Sequence, residues 1–259
     1  MKSTQDSGVS ETIGFIIIFG IIMTGISIVA LYGYPALIQE QSNANIKNME
    51  KNMLVLQSDL KSLTYKSVPY QETMMQVSGG TLVIKENPIV PPSERPYFEF
   101  VAGGAPVEYF APGELRFESA DGEATVTLEN GAVHIRYWSS PTGSAMLASP
   151  SWFYDQTTGT YVIQFIHMNA TSDMAQTRIG NVRMQLSDSN QKPPITLVAG
   201  DYIRYSPSNA YHYGTAWNNY FNNTELNLKE DPSGSGKFTF TRPGSKLVIK
   251  TYNVTFLSL

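Results

Sequence analysis

His134, His167 and His212 are the chain's three imidazoles, the side chains best suited to proton transfer near neutral pH, and no two stand at a metal-ligating spacing. His134 and His167 fall inside alternating, strand-like runs, where a packed or surface histidine is the ordinary reading. There is no cysteine, which removes disulfide frameworks, thiolate zinc sites and thiol nucleophiles together. No nucleophile elbow, metalloprotease helix, P-loop or dinucleotide fingerprint occurs. Asp121 with Glu123, and Asp173 in its own loop, offer oxygens suited to calcium, but without an EF-hand series they read as turns. The Gly-rich runs VAGGAP (101–106) and PSGSG (232–236) lack the strand-then-helix context that phosphate cradling needs. The expectation is a protein without enzymatic activity, metal or cofactor.

Two features point to binding rather than catalysis. The stretch from Tyr202 through Tyr205, Tyr211, Tyr213, Trp217 and Tyr220 to Phe221 is dense in aromatic residues. Exposed, Tyr211, Tyr213 and Trp217 would form a loop that stacks on glycan or a surface polymer; packed inward, they would fill the corner of a β domain, and the second arrangement is the commoner one. N-glycosylation sequons begin at Asn169, Asn222 and Asn253. In the last strand Tyr252, Val254 and Phe256 share one face, which leaves Asn253 on the other.

These side chains need elements to hold them, and the first element is unlike the rest. No charged residue occurs from Thr12 to Ile38, and Ile13–Leu31 is a nearly unbroken apolar run. As a helix that run of about 19 residues rises about 28 Å, close to the thickness of a bilayer's hydrocarbon core. It is longer than a secretory h-region and no small-x-small cleavage site follows, so a retained transmembrane helix is expected. Gly14, Gly20, Thr24 and Gly25 are the usual small residues of membrane helices, without a strict association motif. Tyr32 and Tyr34 sit where an interfacial aromatic belt belongs, and Pro35 is expected to kink the helix without ending it.

Lys2, Asp6 and Glu11 give no clear charge bias across the tract. The sequons instead place the long C-terminal part outside the cell. From Gln39 to Lys66 the helical pattern resumes, with Ile46, Met49, Met53, Leu56, Leu60 and Leu63 spaced three and four apart. This stripe is too short for a sustained coiled coil, so it is expected to pack on the chain's own head. The organisation is then residues 1–11 a leader, 12–38 the transmembrane helix, 39–68 a helical extension and 69–259 an extracytoplasmic β-rich domain.

The whole chain is 42% hydrophobic but only 15% charged, with a net charge of −4 and a pI of about 5.4. No Lys/Arg cluster suggests nucleic acid. After Pro69 the period changes to two, and strands are expected at 81–85, 97–101, 114–119, 124–129, 132–138, 161–168, 182–188, 202–205, 226–230, 237–241 and 246–257. Asn130-Gly131, between TVTLE and AVHIRYW, is the strongest hairpin signal. Residues 217–223 read as a short helix or an aromatic loop. The expected class is α+β: a long N-terminal helix, then an antiparallel β-sandwich or jelly-roll-like domain.

The opening GVSETIGFIIIFGIIMTGISIVALYGYPAL resembles archaeal type IV pilin-like and archaellin-like surface proteins. It is also similar to an uncharacterised archaeal membrane family with a GVSE-x-x-GF start, to which SGGTL, LENGAV and PSWFYD are similar as well. The resemblance implies cleavage between Gly8 and Val9. It implies that Glu11 lies near the new amino terminus, facing a neighbouring subunit's amine; otherwise Glu11 is an ordinary helix N-terminal carboxylate. The sequence departs from the pilin pattern in having Ser7 where a basic residue is expected and a single lysine in the leader. The implied partners are the lipid bilayer and either this chain itself or other pilin-like subunits.

Overall fold

The computed structural model describes residues 6–66, 68–86, 96–140, 143–172, 174–207, 213–223 and 226–259, with side chains from residue 11 onward. Of the sequence-based expectations, Tyr211, His212 and Asp173 lie outside these residues. The chain divides into two units, Met1–Asn45 and Ile46–Leu259.

The first unit is helical. α1 (Asp6–Ile28) passes through a π turn (Val29–Gly33) into α2 (Tyr34–Tyr65). Pro35 has no N–H, and its ring crowds the carbonyl four residues earlier; the wider π turn just before it relieves that crowding. Tyr34 accordingly donates its N–H five residues back, to Val29 O. The helix continues beyond the proline because α2 meets no second breaker until Pro69.

The second unit begins with the C-terminal part of α2 and is otherwise mostly strands. In chain order these are β1 (Tyr70–Gln76), β2 (Gly80–Lys85), β3 (Tyr97–Val101), β4 (Glu108–Phe110), β5 (Glu114–Ser119) and β6 (Ala124–Glu129). Next come β7 (Ala132–Tyr137), β8 (Ser144–Ala148), β9 (Phe153–Asp155), β10 (Thr160–Ala170), β11 (Ala175–Gln176) and β12 (Ile179–Gln191). β13 (Ile195–Thr196) and β14 (Tyr202–Ser206) precede α3 (Gly214–Asn223), and β15 (Leu228–Glu230), β16 (Phe238–Phe240) and β17 (Lys246–Ser258) close the chain. They form three sheets, ordered β1-β12-β17-β10-β9 with β13 also on β17, then β11-β2-β5-β6-β7-β8, then β15-β16-β14-β3-β4.

An α+β chain with a β-rich C-terminal domain is what the sequence implies, but the sheets are not all antiparallel. β10 and β17 run parallel from Thr160↔Lys246 to Ala170↔Phe256. Their burial explains why a plain alternation fails to describe them. Tyr161, Ile163 and Phe165, with Leu247 and Ile249, enter one core; Ile166 and Met168, with Tyr252, Val254 and Phe256, enter the other. Odd positions serve the first half of each strand and even positions the second, so opposite faces of one sheet close two cores.

The α2 stripe lies in the core that takes the even positions. Ile46, Met49, Met53, Leu56, Leu60 and Leu63 are each at most 1% exposed and pack with residues of the first and second sheets. Each such side chain contributes about 1.5–3 kcal/mol of burial. Gln57, on the same face, donates from Nε2 to Gly131 O at 2.7 Å and Ser149 O at 2.9 Å.

The Asn130-Gly131 turn joins β6 to β7 as its residue types require, with φ of 49° and 73°. Unlike most hairpin tips it is interior. Asn130 is 1% exposed, and its Oδ1 accepts the N–H of Ile166 at 2.8 Å, joining the turn to β10.

Asp201, also 1% exposed, holds two loops together. Its carboxylate accepts N–H groups from Gly103 at 2.7 Å, Gly104 at 3.2 Å and Val198 at 2.8 Å. Gly103 has φ +67°, and a Cβ there would stand 2.7 Å from Ile195. Asp201→Ala is expected to lower stability by about 2–3 kcal/mol, read as a lower urea midpoint at unchanged slope. Asp201→Asn should do little better, because its amide nitrogen turns a donor toward donors; recovery by asparagine would refute the charged cradle.

Candidate functional site

Two places concentrate unusual chemistry, one in each unit. In the first unit the apolar side chains turn outward. Phe15, Ile18, Ile21, Leu31 and Leu37 are 60–70% exposed, and none of the helix's most apolar stretch is buried. The helix is long and apolar enough to cross a membrane. Its hydroxyls do not oppose that environment. Thr24 Oγ1 donates to Gly20 O at 2.7 Å and Ser27 Oγ to Met23 O at 2.8 Å, each satisfied within the helix. Gly8 and Val9 lie in the first turns of α1, and Glu11, next in the helix, is exposed.

In the second unit the unusual place is a buried ionisable cluster. The register of β5, β6 and β7 sets Arg116 beside Thr127 and Thr127 beside His134. Glu114 stands opposite Glu129 in the adjacent row. Leu115, Phe117, Val126, Leu128 and Val133 take the opposite face of the sheet, toward α2. Over the polar face lie β14, α3 and Tyr213, which put three aromatic donors and acceptors onto it.

Glu129, fully buried, accepts Tyr205 OH on Oε1 at 3.1 Å and Trp217 Nε1–H on Oε2 at 2.9 Å. His134 Nε2 lies 3.9 Å from the same Oε2, and the imidazole stacks on Tyr213 at 5.2 Å between centroids. Tyr213 OH shares a hydrogen bond of 2.6 Å with Thr127 Oγ1. Arg116 donates to Glu114 and, at 3.1 Å, to Glu118 Oε1.

Burial dominates the titration here. It pushes the Glu129 carboxyl up to about 7, against the pull of the Trp217 and Tyr205 hydrogen bonds and the Arg116 charge. It lowers the His134 imidazole to about 3 and raises the Tyr213 phenol to about 12. Between about pH 3 and about pH 7 Glu129 and His134 are therefore a neutral acid beside a neutral imidazole. Glu129, His134, Tyr213 and Trp217 are each at most 1% exposed, so the cluster is sealed from solvent.

This placement corrects the binding-loop expectation. Tyr213 and Trp217 are core residues. Trp217 packs on Phe98 at 4.8 Å, Tyr205 at 5.6 Å and Trp152 at 5.6 Å. The reason is periodicity: α3 turns Ala216, Trp217, Tyr220 and Phe221 to one side, against the third sheet.

The sequons are not equivalent. Asn222 is exposed near the end of α3, whereas Asn169 and Asn253 are half-buried on the paired strands β10 and β17. Asp121 accepts from Ser119 Oγ at 2.6 Å and from Glu123 N–H at 3.0 Å, the pattern of a turn. Among the described residues no group of three or more His, Cys, Asp or Glu side chains is placed to hold a metal.

Both Gly-rich runs do cradle anions, but the anions are the protein's own carboxylates. Gly103 and Gly104 donate to Asp201, and Gly236 donates to Glu230 Oε1 at 2.8 Å. His134 was read as a packed or surface histidine and is packed, but its buried partner Glu129 went unrecognised because it occupies a polar position of an alternating strand, where solvent is the default neighbour. The available signal was the nearby excess of Tyr and Trp, whose O–H and N–H groups seek acceptors when buried.

A family model described as a family of unknown function (DUF7289) matches residues 8–256, and so covers the apolar helix and the β-rich unit alike. No curated protein and no solved structure matches the chain.

Proposed function

The chain belongs to DUF7289, a family of unknown function, and from that premise we propose that it is a single-pass, membrane-anchored, pilin-like surface protein with a structural or interaction role. The observation that carries this reading is the outward-facing apolar side chains from Ile13 to Ile38, a surface that water disfavours and hydrocarbon accepts. The exposed sequon at Asn222 supports an extracytoplasmic head. The reading calls for no catalytic site, and the Glu129–His134 pair described above is closed to solvent.

The absence of cysteine supplies the test. Ser233, exposed in the β15–β16 turn, is replaced by cysteine and treated in intact cells with a membrane-impermeant maleimide. Labelling without lysis is expected; labelling only after lysis would put the head inside and end the surface reading. Mass spectrometry of the same protein reads the N-terminus. A start at Val9 supports the pilin-like form, and an intact Met1 refutes processing while leaving the anchor.

A further inference from the structure

The first sheet ends in a long strand edge, whereas the other sheet edges among the described residues are blunted. β4, β9 and β15 are three residues long and β11 is two. β8 carries α3 against it, with Ala216 N–H donating to Ser144 Oγ at 3.2 Å. β1 has no such protection. It is seven residues long, pairs with β12 alone, and contains no proline, lysine or bulge.

The register fixes which backbone groups are left over. Leu186 N–H donates to Pro69 O and Val77 N–H to Arg178 O, each at 3.2 Å, so the bonded pairs fall at the odd positions of β1. The N–H and C=O groups of Tyr70, Glu72 and Met74 therefore point away from β12, where no second strand pairs with them. Gln76 differs, because its carbonyl accepts Asn52 Nδ2–H at 3.2 Å. Such a row of unpaired backbone groups is a template for another extended strand.

The side chains select which strand. Tyr70, Glu72 and Met74 share the outer face. Met74 is 76% exposed, the most exposed large apolar side chain among the described residues, and Tyr70 is 42% exposed. A second β1 laid antiparallel, with a two-fold axis at Glu72, pairs all of these left-over groups. It also sets Tyr70 of each copy opposite Met74 of the other, thioether against phenol ring. The axis brings the two Glu72 side chains together, but each carboxylate arrives with its own cation, Arg183 Nε, 3.4 Å from Oε1. Asn181 Nδ2–H at 2.6 Å and Tyr70 OH at 2.9 Å hold it further. A strand of unrelated sequence would match the backbone but not this exchange of Tyr70 and Met74.

We propose that β1 is a contact between two copies of this chain, which join antiparallel about Glu72 into one continuous sheet. This goes beyond the membrane-anchor reading and does not rest on it. The chain has no cysteine, so single cysteines report the register. Residues opposite each other in a bonded antiparallel pair have Cα atoms about 5.5 Å apart, within disulfide range. In the full chain in detergent micelles, mild oxidation is expected to link Glu72→Cys to itself. Tyr70→Cys and Met74→Cys should each stay monomeric when oxidised alone and form a heterodimer when mixed. Adding Met74→Lys to Glu72→Cys should cut the disulfide yield about tenfold or more, because an edge lysine opposes strand pairing.

These substitutions lie at exposed positions, and an unchanged urea midpoint confirms that the fold is intact. No disulfide at Glu72→Cys, or Met74→Cys linking to itself as readily as Glu72→Cys does, would overturn the proposal. So would a Glu72→Cys yield that Met74→Lys leaves unchanged, because a dimer held through the apolar helix imposes no register on β1.

Discussion

Replacing Ile18 and Ile22 together with aspartate is expected to move the protein from the carbonate-resistant membrane pellet into the soluble or aggregated fraction. Both side chains are more than half exposed on the apolar helix, at 60% and 54%, so the substitution disturbs no packing within the chain. In a bilayer each aspartate near the helix centre costs about 2.5–3.5 kcal/mol, or roughly 5–7 kcal/mol for the pair. That corresponds to a shift of roughly four orders of magnitude in partitioning. Asn43→Asp with Asn48→Asp, exposed positions of α2 beyond the apolar tract, should leave the protein in the pellet. If the Ile18/Ile22 variant resists carbonate as the parent does, the helix does not span a membrane.

The second large effect is on the pH dependence of stability, and its sign depends on which of two neighbours is removed. Glu129 titrates near 7 in the fold against an ordinary 4.5, so its stabilising contribution is complete below about pH 4.5 and is lost as pH rises through 7. His134 titrates near 3 against an ordinary 6.5, so its contribution is complete above about pH 6.5 and is lost as pH falls toward 3. Between about pH 4.5 and 6.5 the two slopes oppose, each about 1.4 kcal/mol per pH unit, and the pair adds no net slope. Folded and unfolded chains then hold the same number of protons at these two sites, on Glu129 in one and on the histidine in the other.

Removing either partner uncovers the other. Glu129→Gln should make stability rise with pH by about 3 kcal/mol across that window, and His134→Gln should make it fall by about as much. Arg116, Glu114, Glu118, Tyr205 and Tyr213 surround the pair in both variants, so their influence is common to the comparison. Urea midpoints at pH 4.5, 5.5 and 6.5 read the slopes. Parallel curves for the two variants would mean that burial does not control these groups.

How far the sequence could be read followed from where each signal lay. The helix and its stripe were legible because one period explains Ile46 through Leu63, and no other element offered so many matching positions. The β6–β7 hairpin was legible because Asn130 and Gly131 supply the left-handed conformations that its turn requires. β1 and β8 were not expected. YQETMMQ and SAMLA carry almost no β-branched residues, and pairing alone makes them strands. The parallel pairing of β10 with β17 joins residues far apart in the chain, and no local pattern encodes it.

The site was the least legible part. The sequence singled out Tyr213 and Trp217 correctly as unusual but could not assign them a side. Aromatic content measures how much surface is to be buried, and only α3's position above Glu129 decides that it is buried here. Tyr202 stood out only as the start of the aromatic stretch and Tyr109 fell in no expected strand, and both face outward because Phe98, Phe110 and Ile203 face in.

The grip of Gln57 on the Asn130-Gly131 turn has a mechanical meaning. A tug on α2 enters the second unit at an interior turn that is bonded in its turn to β10, rather than at a frayed sheet edge. To draw the helix out, Met53, Leu56 and Leu60 must leave the core together with both Gln57 hydrogen bonds, so yielding is shared among many contacts. Under tension in a pulling experiment, such a unit is expected to hold and then give way in one step, as a rivet does, rather than unzip strand by strand.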